Sequence, residues 1–189
     1  IYVGYRYFET IPGAYDKVRY EFGFGLSYTS FEFSGTLCGE SDGKIIAAVT
    51  VKNTGKASGK EVVQLYYSAP QGKLLKPAKE LAAFKKTKLL SPGESETVTL
   101  CFEVNDMASY DDLGKIKKSA YILVKGEYKF FIGNSVRNVK ELDYKYILDS
   151  DVTVKQLTEL LRPFKLEKRL LSDGTFETLP QGEEKYHSG

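Results

Sequence analysis

The stretch KIIAAVTVKNTGKASGKEVVQLYYSAP, residues 44–70, decides the fold class. Apolar side chains occupy every second position in its first half and again in its second half. These positions are Ile45, Ala47, Val49 and Val51, then Val63, Leu65 and Tyr67. Between the halves, Asn53-Thr54-Gly55 provides a turn, because Asn and Gly tolerate positive φ. The stretch therefore predicts two β-strands separated by a turn.

The same alternation recurs along most of the chain. Further strands are predicted at residues 27–33, 79–86, 95–104, 121–124, 126–133 and 139–148. Residues 106–113 are polar and are predicted as a loop. About seven or eight short strands without alternating helices argue against a parallel sheet. The predicted fold class is all-β, an antiparallel β-sandwich of the immunoglobulin or fibronectin type III kind.

The opening residues, IYVGYRYF at 1–8, also alternate, with Val3, Tyr5 and Tyr7 on one face. This alternation of β-forming residues predicts a strand. The chain does not begin with Met and opens within a strand pattern, so we expect it to be cut from a longer protein. The compartment is therefore left open, with a slight preference for the cytoplasm.

The other end of the chain changes from strand to helix periodicity. Three leucines recur at helical spacing, and a Thr–Gln pair ahead of them fits a capping box. These residues are Thr153, Gln156, Leu157, Leu160 and Leu161. They predict one short C-terminal helix at residues 153–161, which needs a docking surface to be stable. After Ser172 the chain is polar with Gly and Pro, which predicts a linker or frayed tail.

Charge and cysteine content exclude several classes of protein. The net charge is +2, from 27 basic and 25 acidic residues, so no broad field favours nucleic acid or an anionic membrane as partner. No apolar run approaches the ~18 residues of a membrane-spanning helix. The two cysteines, Cys38 and Cys101, match no metal spacing. We expect a buried free thiol at Cys101, and a disulfide between the two is the alternative.

Residues that could carry catalysis are sparse. The sole histidine, His187, lies in the terminal sequence EEKYHSG, where residues are usually poorly ordered. Without a second histidine, a cysteine cluster or a glycine-rich phosphate loop, no metal site and no cofactor are predicted. The acidic pairs Glu94/Glu96 and Asp111/Asp112 suit solvated turns better than a glycosidase pair facing across a cleft. The residues themselves therefore predict no catalytic group.

Three aspartates leave one alternative open. Asp106, Asp111 and Asp112 lie close in sequence and carry the oxygen ligands that Ca²⁺ prefers. Their spacing is not that of an EF-hand. The simpler interpretation is that these side chains accept hydrogen bonds from the backbone of a turn.

The stretch YEFGFGLSYTSFEFSG, residues 20–35, contains six aromatic residues in sixteen. One interpretation is a stacking surface for sugars or bases. Trp is absent from the chain, and this stretch contains neither Lys nor Arg, which a nucleic-acid platform would interleave. The favoured interpretation is that these side chains fill the core and the contact between two domains.

Several segments resemble glycoside hydrolase family three, in order and with sensible gaps. They are GYRYF (4–8), YEFGFGLSYTSFEF (20–33), VTVKNTGKASGKEVVQLYYSAP (49–70), KPAKELAAFKK (76–86), LSPGESETVTL (90–100) and GEYKFFIGNSVRNV (126–139). The resemblance implies the end of an α/β domain at residues 1–25 and a fibronectin type III-like sandwich at 26–149. Residues 150–189 would be a short helix and a connector or tail, towards a barrel in members whose barrel comes last.

By resemblance, the parent is a retaining, exo-acting β-glycosidase such as a β-glucosidase or β-xylosidase. The nucleophile of that family is an Asp on a barrel domain, and the acid/base is commonly a Glu on the α/β domain. Neither motif is present here, so the fragment is expected to be catalytically silent. The family often has a Trp before the GEY segment, where Tyr121 is the nearest bulky aromatic.

Two roles follow from this resemblance. The first is a structural accessory domain that stabilises the α/β and barrel domains of the parent. Its predicted anchors in the contact between the α/β domain and the sandwich are Arg6, Tyr7, Phe22 and Tyr28. The second is a carbohydrate-binding module that holds an oligosaccharide or polysaccharide near the catalytic domain through exposed aromatics. An adhesion-type domain with a protein partner is disfavoured by the resemblance, and a homodimer contact is left open.

Overall fold

The computed structural model describes residues 1–158 and 166–180, whose central part is two antiparallel sheets. The first sheet has the strand order β1-β2-β5, with β1 at Phe31–Ser41, β2 at Lys44–Asn53 and β5 at Ser95–Glu103. The second has the order β4-β3-β8-β9, with β3 at Val62–Ser68, β4 at Glu80–Lys86, β8 at Gly126–Gly133 and β9 at Val139–Leu148. Both sheets contribute to one hydrophobic core, so the predicted sandwich is confirmed.

The central strands of the two sheets are buried differently. Strand β2 alternates between buried and exposed residues, as expected of a strand with one face in solvent. In β3, every residue from Val63 to Tyr67 is buried. Because Val63, Leu65 and Tyr67 belong to the core, Gln64 and Tyr66 must point to the opposite face. Another part of the chain therefore covers the outer face of the second sheet.

The covering part is the N-terminal segment, and the prediction of a strand at residues 1–8 is wrong. Tyr5–Phe8 form a single helical turn, α1, and Tyr15–Lys17 form a 3-10 turn. Gly4 precedes α1 with φ +59°, a conformation that glycine adopts without strain. Contacts of this segment with the sandwich therefore override the β propensity of its residues.

Strand β1 differs from its prediction at both ends. The sequence predicts a strand at residues 27–33, whereas β1 begins at Phe31 and continues to Ser41. The pairing of β1 with β2 shifts register between Ser34 and Leu37. Such a bulge interrupts period-two alternation, which explains why the second half of the strand was not recognised.

The two cysteines are free, but Cys101 is exposed rather than buried. It lies on β5 between Leu100 and Phe102, whose side chains point into the core. Alternation along the strand therefore turns Cys101 to solvent. Cys38 is partly buried against the core, and this burial raises the pKa of its thiol to about 11.

A third sheet lies beside the sandwich, with the order β10-β7-β6. It consists of β6 at Ser109–Asp111, β7 at Ala120–Leu123 and β10 at Val152–Gln156. The prediction of a loop at 106–113 is therefore wrong for β6, and the prediction of a helix is wrong for residues 153–156. The β-branched residues Val152, Thr153 and Val154 suit the free edge of β7, with which β10 pairs.

The rest of the predicted C-terminal helix and tail is only partly covered by the described residues, and where it is covered the structure differs from the prediction. Gln156 makes no capping box, because its Nε2 donates to the carbonyls of Lys118 and Ser119 at 2.9 and 3.2 Å. Leu160 and Leu161 lie outside the described residues. The prediction of a linker or frayed tail after Ser172 is wrong as far as residue 180, since β11 (Lys168–Leu170) and β12 (Phe176–Thr178) form an antiparallel hairpin.

The hairpin is fixed to the third sheet by charged side chains. Arg169 on β11 contacts Asp112 and Glu177 at 2.9 Å, and Lys115 contacts Glu177 at 2.6 Å. The tip of the hairpin, Gly174, lies against Ile11 of the N-terminal segment. The two ends of the described chain therefore meet on one side of the sandwich.

Asn53, at the end of β2, is the most completely hydrogen-bonded buried side chain of the sandwich. Its Nδ2 donates to the carbonyls of Ala57 and Leu90, both at 2.8 Å. Its Oδ1 accepts hydrogen bonds from Thr29 Oγ1 at 2.6 Å and from the Gly55 amide at 3.0 Å. The sequence motif Asn-Thr-Gly thus forms the predicted turn and ties it to two neighbouring segments.

Replacing Asn53 by Ala should destabilise the chain strongly. The substitution removes four hydrogen bonds and leaves the partly buried Ala57 carbonyl and Gly55 amide without these partners, so we expect the free energy of unfolding to fall by about 2–4 kcal/mol. Asn105→Ala is the matched control, because Asn105 is exposed. Urea unfolding measures both variants, and equal midpoints for the two would contradict the assigned role of Asn53.

Lys76, between β3 and β4, is a buried lysine with 1% of its surface exposed. Its Nζ donates a hydrogen bond to Ser109 Oγ. Burial lowers the pKa of Lys76 to about 8, and the nearby charge of Glu80 opposes this shift only in part. Because the folded chain holds this proton more weakly than the unfolded chain, protonation of Lys76 costs stability.

Stability should therefore rise with pH in the weakly alkaline range. Between about pH 8 and 9 the folded state has lost the Lys76 proton and the unfolded state retains it, which adds about 1 kcal/mol to the free energy of unfolding. Above about pH 9 the raised pKa of Cys38 opposes this rise, and above about pH 10 the trend reverses because burial also raises the pKa of Tyr67 and of Tyr128. Lys76→Met should abolish the rise and Lys52→Met, on the exposed face of β2, should retain it. Urea unfolding at a series of pH values tests this, and a rise that survives in Lys76→Met would refute it.

Candidate functional site: the N-terminal strap and its contact surface

Residues 1–24, called the N-terminal strap here, cross the outer face of the second sheet. Tyr5 makes the central contact. Its ring stacks on Phe22 with 4.5 Å between centroids and meets Tyr66 edge-on at 6.2 Å. Its hydroxyl accepts a hydrogen bond from the Leu81 amide at 2.8 Å. One side chain thus joins both halves of the strap to β3 and β4.

A second contact joins the strap to β4 through Glu80. Arg6 Nη1 lies 3.2 Å from Glu80 Oε2, and the Tyr67 hydroxyl donates to Oε1 at 3.1 Å. Burial, followed by the charge of Glu80, raises the pKa of Tyr67, so the phenol stays protonated and remains a donor. Both oxygens of this carboxylate are therefore engaged.

Arg137, in the loop between β8 and β9, holds the middle of the strap. Its Nε lies 2.8 Å from Glu9 Oε1, and its Nη2 donates to the Tyr15 carbonyl at 2.9 Å. The guanidinium also lies over the Tyr15 ring, 3.5 Å from its centroid. Glu9 and Arg137 are both mostly buried, and a planar guanidinium can make these three contacts at once.

The end of the strap is fixed to the same loop. The Val136 amide donates to the Phe22 carbonyl at 2.9 Å, and Ser135 Oγ donates to Glu21 at 2.9 Å. Gly23 follows with φ +86°, and a Cβ there would lie 2.4 Å from Gln64 Nε2. A glycine is therefore required at this position, both for its conformation and for its close approach to β3.

Beyond these contacts, large apolar side chains of the same stretch face solvent. We call them the exposed apolar run. They are Tyr20, Phe24, Leu26 and Tyr28. Tyr20 and Phe24 stack on each other at 5.0 Å, while Tyr28 is fully exposed. Contiguous exposed apolar residues of this size are typical of a surface that contacts another protein or domain.

The four predicted contact residues lie in different environments. Arg6 and Phe22 pack on the sandwich through Glu80 and Tyr5, Tyr7 lies edge-on to Phe8 at 5.3 Å, and Tyr28 points to solvent. Their role between domains stays a prediction. Sequence reasoning missed Arg137 and Glu80, because their partners lie 128 and 74 residues away and no local pattern marks them.

Two adjoining cavities of about 370 and 550 Å³ lie beside the Arg6–Glu80 pair. Both are lined by Arg6, Tyr67, Glu80 and Asp106, so they form one polar groove. One end of the groove reaches Phe102 on β5, and the other end reaches Arg169 on the C-terminal hairpin. The groove thus runs along the border of the strap, the sandwich and the third sheet.

The predicted acidic sites form structural contacts. The carboxylate of Asp111 accepts hydrogen bonds from the amides of residues 114–117 at 2.6–3.0 Å. Burial alone would raise the pKa of Asp111, but these donors hold it below its usual value. Asp112 pairs with Arg169, whereas Asp106 faces the groove. The turn interpretation of Asp111 is therefore confirmed.

Other candidate sites are also accounted for within the described residues. Glu94 lies 2.7 Å from Lys88 in an exposed turn, and this contact lowers the pKa of Glu94. Across residues 1–158 and 166–180, no group of three or more potential ligands is placed to hold a metal ion. The same residues include no helix long and apolar enough to cross a membrane. His187 lies outside the described residues.

Comparison with known proteins matches this geometry to one family. Residues 61–136 match the fibronectin type III-like domain family. The chain is 57% identical over 97% of its length to β-glucosidase A of Butyrivibrio fibrisolvens, and 47% identical over 90% of its length to a β-glucosidase of Ruminococcus albus. It covers 24% and 18% of these two relatives.

Solved structures agree with the sequence relatives. A β-glucosidase from Paenibacillus barengoltzii superposes with a TM-score of 0.86 at 46% identity, over 97% of this chain and 22% of that protein. The GH3 β-glucosidase of Bifidobacterium adolescentis gives a TM-score of 0.68 at 31% identity, over 85% of this chain and 23% of that protein. The chain therefore spans about a quarter or less of each of these relatives. It belongs to glycoside hydrolase family three, as the fibronectin type III-like region of that family.

Proposed function

We propose that this chain is a non-catalytic accessory region of a retaining, exo-acting β-glucosidase, which stabilises the contact between the sandwich and the catalytic domains. The observation that carries the proposal is the exposed apolar run, Tyr20, Phe24, Leu26 and Tyr28, which follows directly on a strap fixed to the sandwich. A large apolar side chain that becomes fully buried contributes about 1.5–3 kcal/mol, so three aromatic residues and one leucine supply a substantial domain contact.

The strap supports this role because it is held by directional contacts. Arg6 and Glu9 are paired with Glu80 and Arg137, and Tyr5 accepts a hydrogen bond from β4. A rigidly held strap fixes the exposed apolar run relative to the sandwich, which reduces the entropy lost when the catalytic domains pack on it. In this proposal, residues 1–25 end a preceding α/β domain and residues 26–149 are the accessory domain.

The C-terminal part fits a connector that is itself attached to the domain. Residues 150–158 add β10 to the third sheet, and the hairpin at 168–178 is held through Arg169 and Lys115. We propose that residues 150–189 lead towards a barrel domain that follows in the parent. Such a docked connector restricts the positions that the next domain can occupy.

The attachment of the strap can be tested at Arg137. Arg137→Ala removes an ion pair, a backbone hydrogen bond and the contact with the Tyr15 ring. We therefore expect amide exchange of Ile11 and Ala14, the buried apolar residues of the strap itself, to reflect a loss of about 2 kcal/mol. Arg137→Lys should not rescue this loss, since an ammonium cannot make all three contacts. The control Arg19→Ala removes an exposed guanidinium. Unchanged exchange in Arg137→Ala would show that the strap is held elsewhere.

The domain-contact role can be tested at Tyr28, which is fully exposed in this chain. Tyr28→Ala should leave the melting temperature of the 189-residue chain unchanged but lower that of the full-length parent by about 2–4 °C, because burial occurs only in the parent. Leu37→Ala, exposed on the first sheet, is the control and should change neither.

An activity assay accompanies this comparison. The parent should hydrolyse an aryl β-glucoside with retention at the anomeric carbon, and the 189-residue chain alone should not. Equal melting temperatures of the parent and its Tyr28→Ala variant would count against the contact role. Hydrolysis by the isolated chain would refute its non-catalytic character.

A further inference from the structure

The polar groove carries hydrogen-bonding capacity that the described residues do not use. Lys73 and Asp106 line its cavity of about 370 Å³ and are exposed. Within residues 1–158 and 166–180, neither side chain has an ion-pair or hydrogen-bond partner. Arg6 uses only Nη1 in its contact with Glu80, so further N–H donors of its guanidinium are available. Donors and an acceptor therefore converge on the same space.

The charges around the groove nearly cancel. One cavity is lined by four cationic and three anionic side chains. They are Arg6, Lys73, Lys115 and Arg169, with Glu80, Asp106 and Asp112. A balanced lining does not select a polyanion such as nucleic acid. It suits a neutral molecule whose hydroxyl groups both donate and accept hydrogen bonds.

The shape and the walls of the groove favour an extended ligand with flat apolar faces. The two cavities adjoin, and each falls within the usual ligand range of about 300–1,000 Å³. Tyr110 lines one of them, is partly exposed and is braced by Tyr121 at 5.3 Å between ring centroids. A tyrosine ring held in this way offers a surface on which the apolar face of a pyranose can pack.

We propose that the groove between the strap, the third sheet and the C-terminal hairpin binds a neutral β-linked oligosaccharide. The choice of a β-glucoside as the sugar rests on the proposed function of the parent, whereas the choice of a neutral polyhydroxylated chain rests on the groove itself. Lys73 and Arg6 donate to sugar oxygens, Asp106 accepts from sugar hydroxyls, and Tyr110 packs against a ring face. This site is separate from the exposed apolar run.

The test is an NMR titration of the ¹⁵N-labelled 189-residue chain with a β-1,4-linked glucose tetramer, at concentrations up to about 20 mM because affinities of this kind are weak. We expect amide shifts to concentrate at Lys73, Asp106 and Tyr110. The variants Lys73→Ala and Asp106→Asn should each weaken binding at least about threefold, the loss of one or two hydrogen bonds. Lys52→Ala, on the exposed face of β2, is the control and should bind as the wild type does.

Each outcome decides the proposal. Shifts at the groove that diminish in both variants support it. Equally strong binding of an α-linked glucose tetramer would overturn the choice of a β-linked chain. No shifts, or shifts confined to residues 20–28, overturn it. Binding by the isolated chain that is lost in the full-length parent would also overturn it, because the groove would then be covered by another domain. If the parent hydrolyses an aryl β-glucoside while the groove binds nothing, only this inference fails and the proposed function stands.

Discussion

Strand β3 is buried on both faces, and this requires a second part of the chain to cover the face that the core does not. One face of β3 belongs to the core, which a two-sheet sandwich provides by itself. The other face carries Gln64 and Tyr66, and burying a polar amide without partners would cost stability. Gln64 is satisfied by the Tyr66 hydroxyl and by the Asn134 carbonyl, and the strap excludes water from all of them. The sandwich and the strap therefore form one folding unit across a proposed domain boundary.

This arrangement explains why the strap carries both aromatic and charged residues. Aromatic rings supply buried area, but alone they would allow the strap to slide over the sheet. Arg6 and Arg137 fix its position through carboxylates on the sandwich and on the strap itself. Both ion pairs lie beside the outer face of the second sheet, which the strap covers. The local dielectric constant is lower there than in solvent, so the strength of each pair depends more strongly on its geometry than that of an exposed pair does. The position of the strap is thereby fixed at two points, Arg6 and Glu9.

The sequence predicts the sandwich well, because most of its strands carry the alternating pattern within a few residues. Apolar residues alternate with polar ones in β2 and β5 because each strand turns one face to the core. Asn53-Thr54-Gly55 marks a turn because the Asn53 side chain accepts a hydrogen bond from the nearby Gly55 amide. The ends of the chain are predicted poorly, because their structure depends on partners far away in sequence. Residues 1–8 alternate like a strand, but Tyr5–Phe8 form a helical turn that packs on β3 and β4 through Tyr5. Residues 153–156 pair with the edge of β7 that β6 leaves free. The bulge at Ser34 in β1 and the pair of Arg137 with Glu9 leave no local trace at all.

The strap contact and the groove share three side chains, and this connects the two proposals. Glu80 holds Arg6 through one oxygen and Tyr67 through the other, and all three side chains line the groove. A sugar hydroxyl that binds Arg6 without displacing Glu80 adds a contact to a guanidinium already fixed in place, so little side-chain entropy is lost. A ligand that displaces Glu80 would instead release the strap and leave a partly buried carboxylate without its cation. The arrangement thus favours ligands that bind while the strap stays attached, which is what an accessory domain in a fixed position requires.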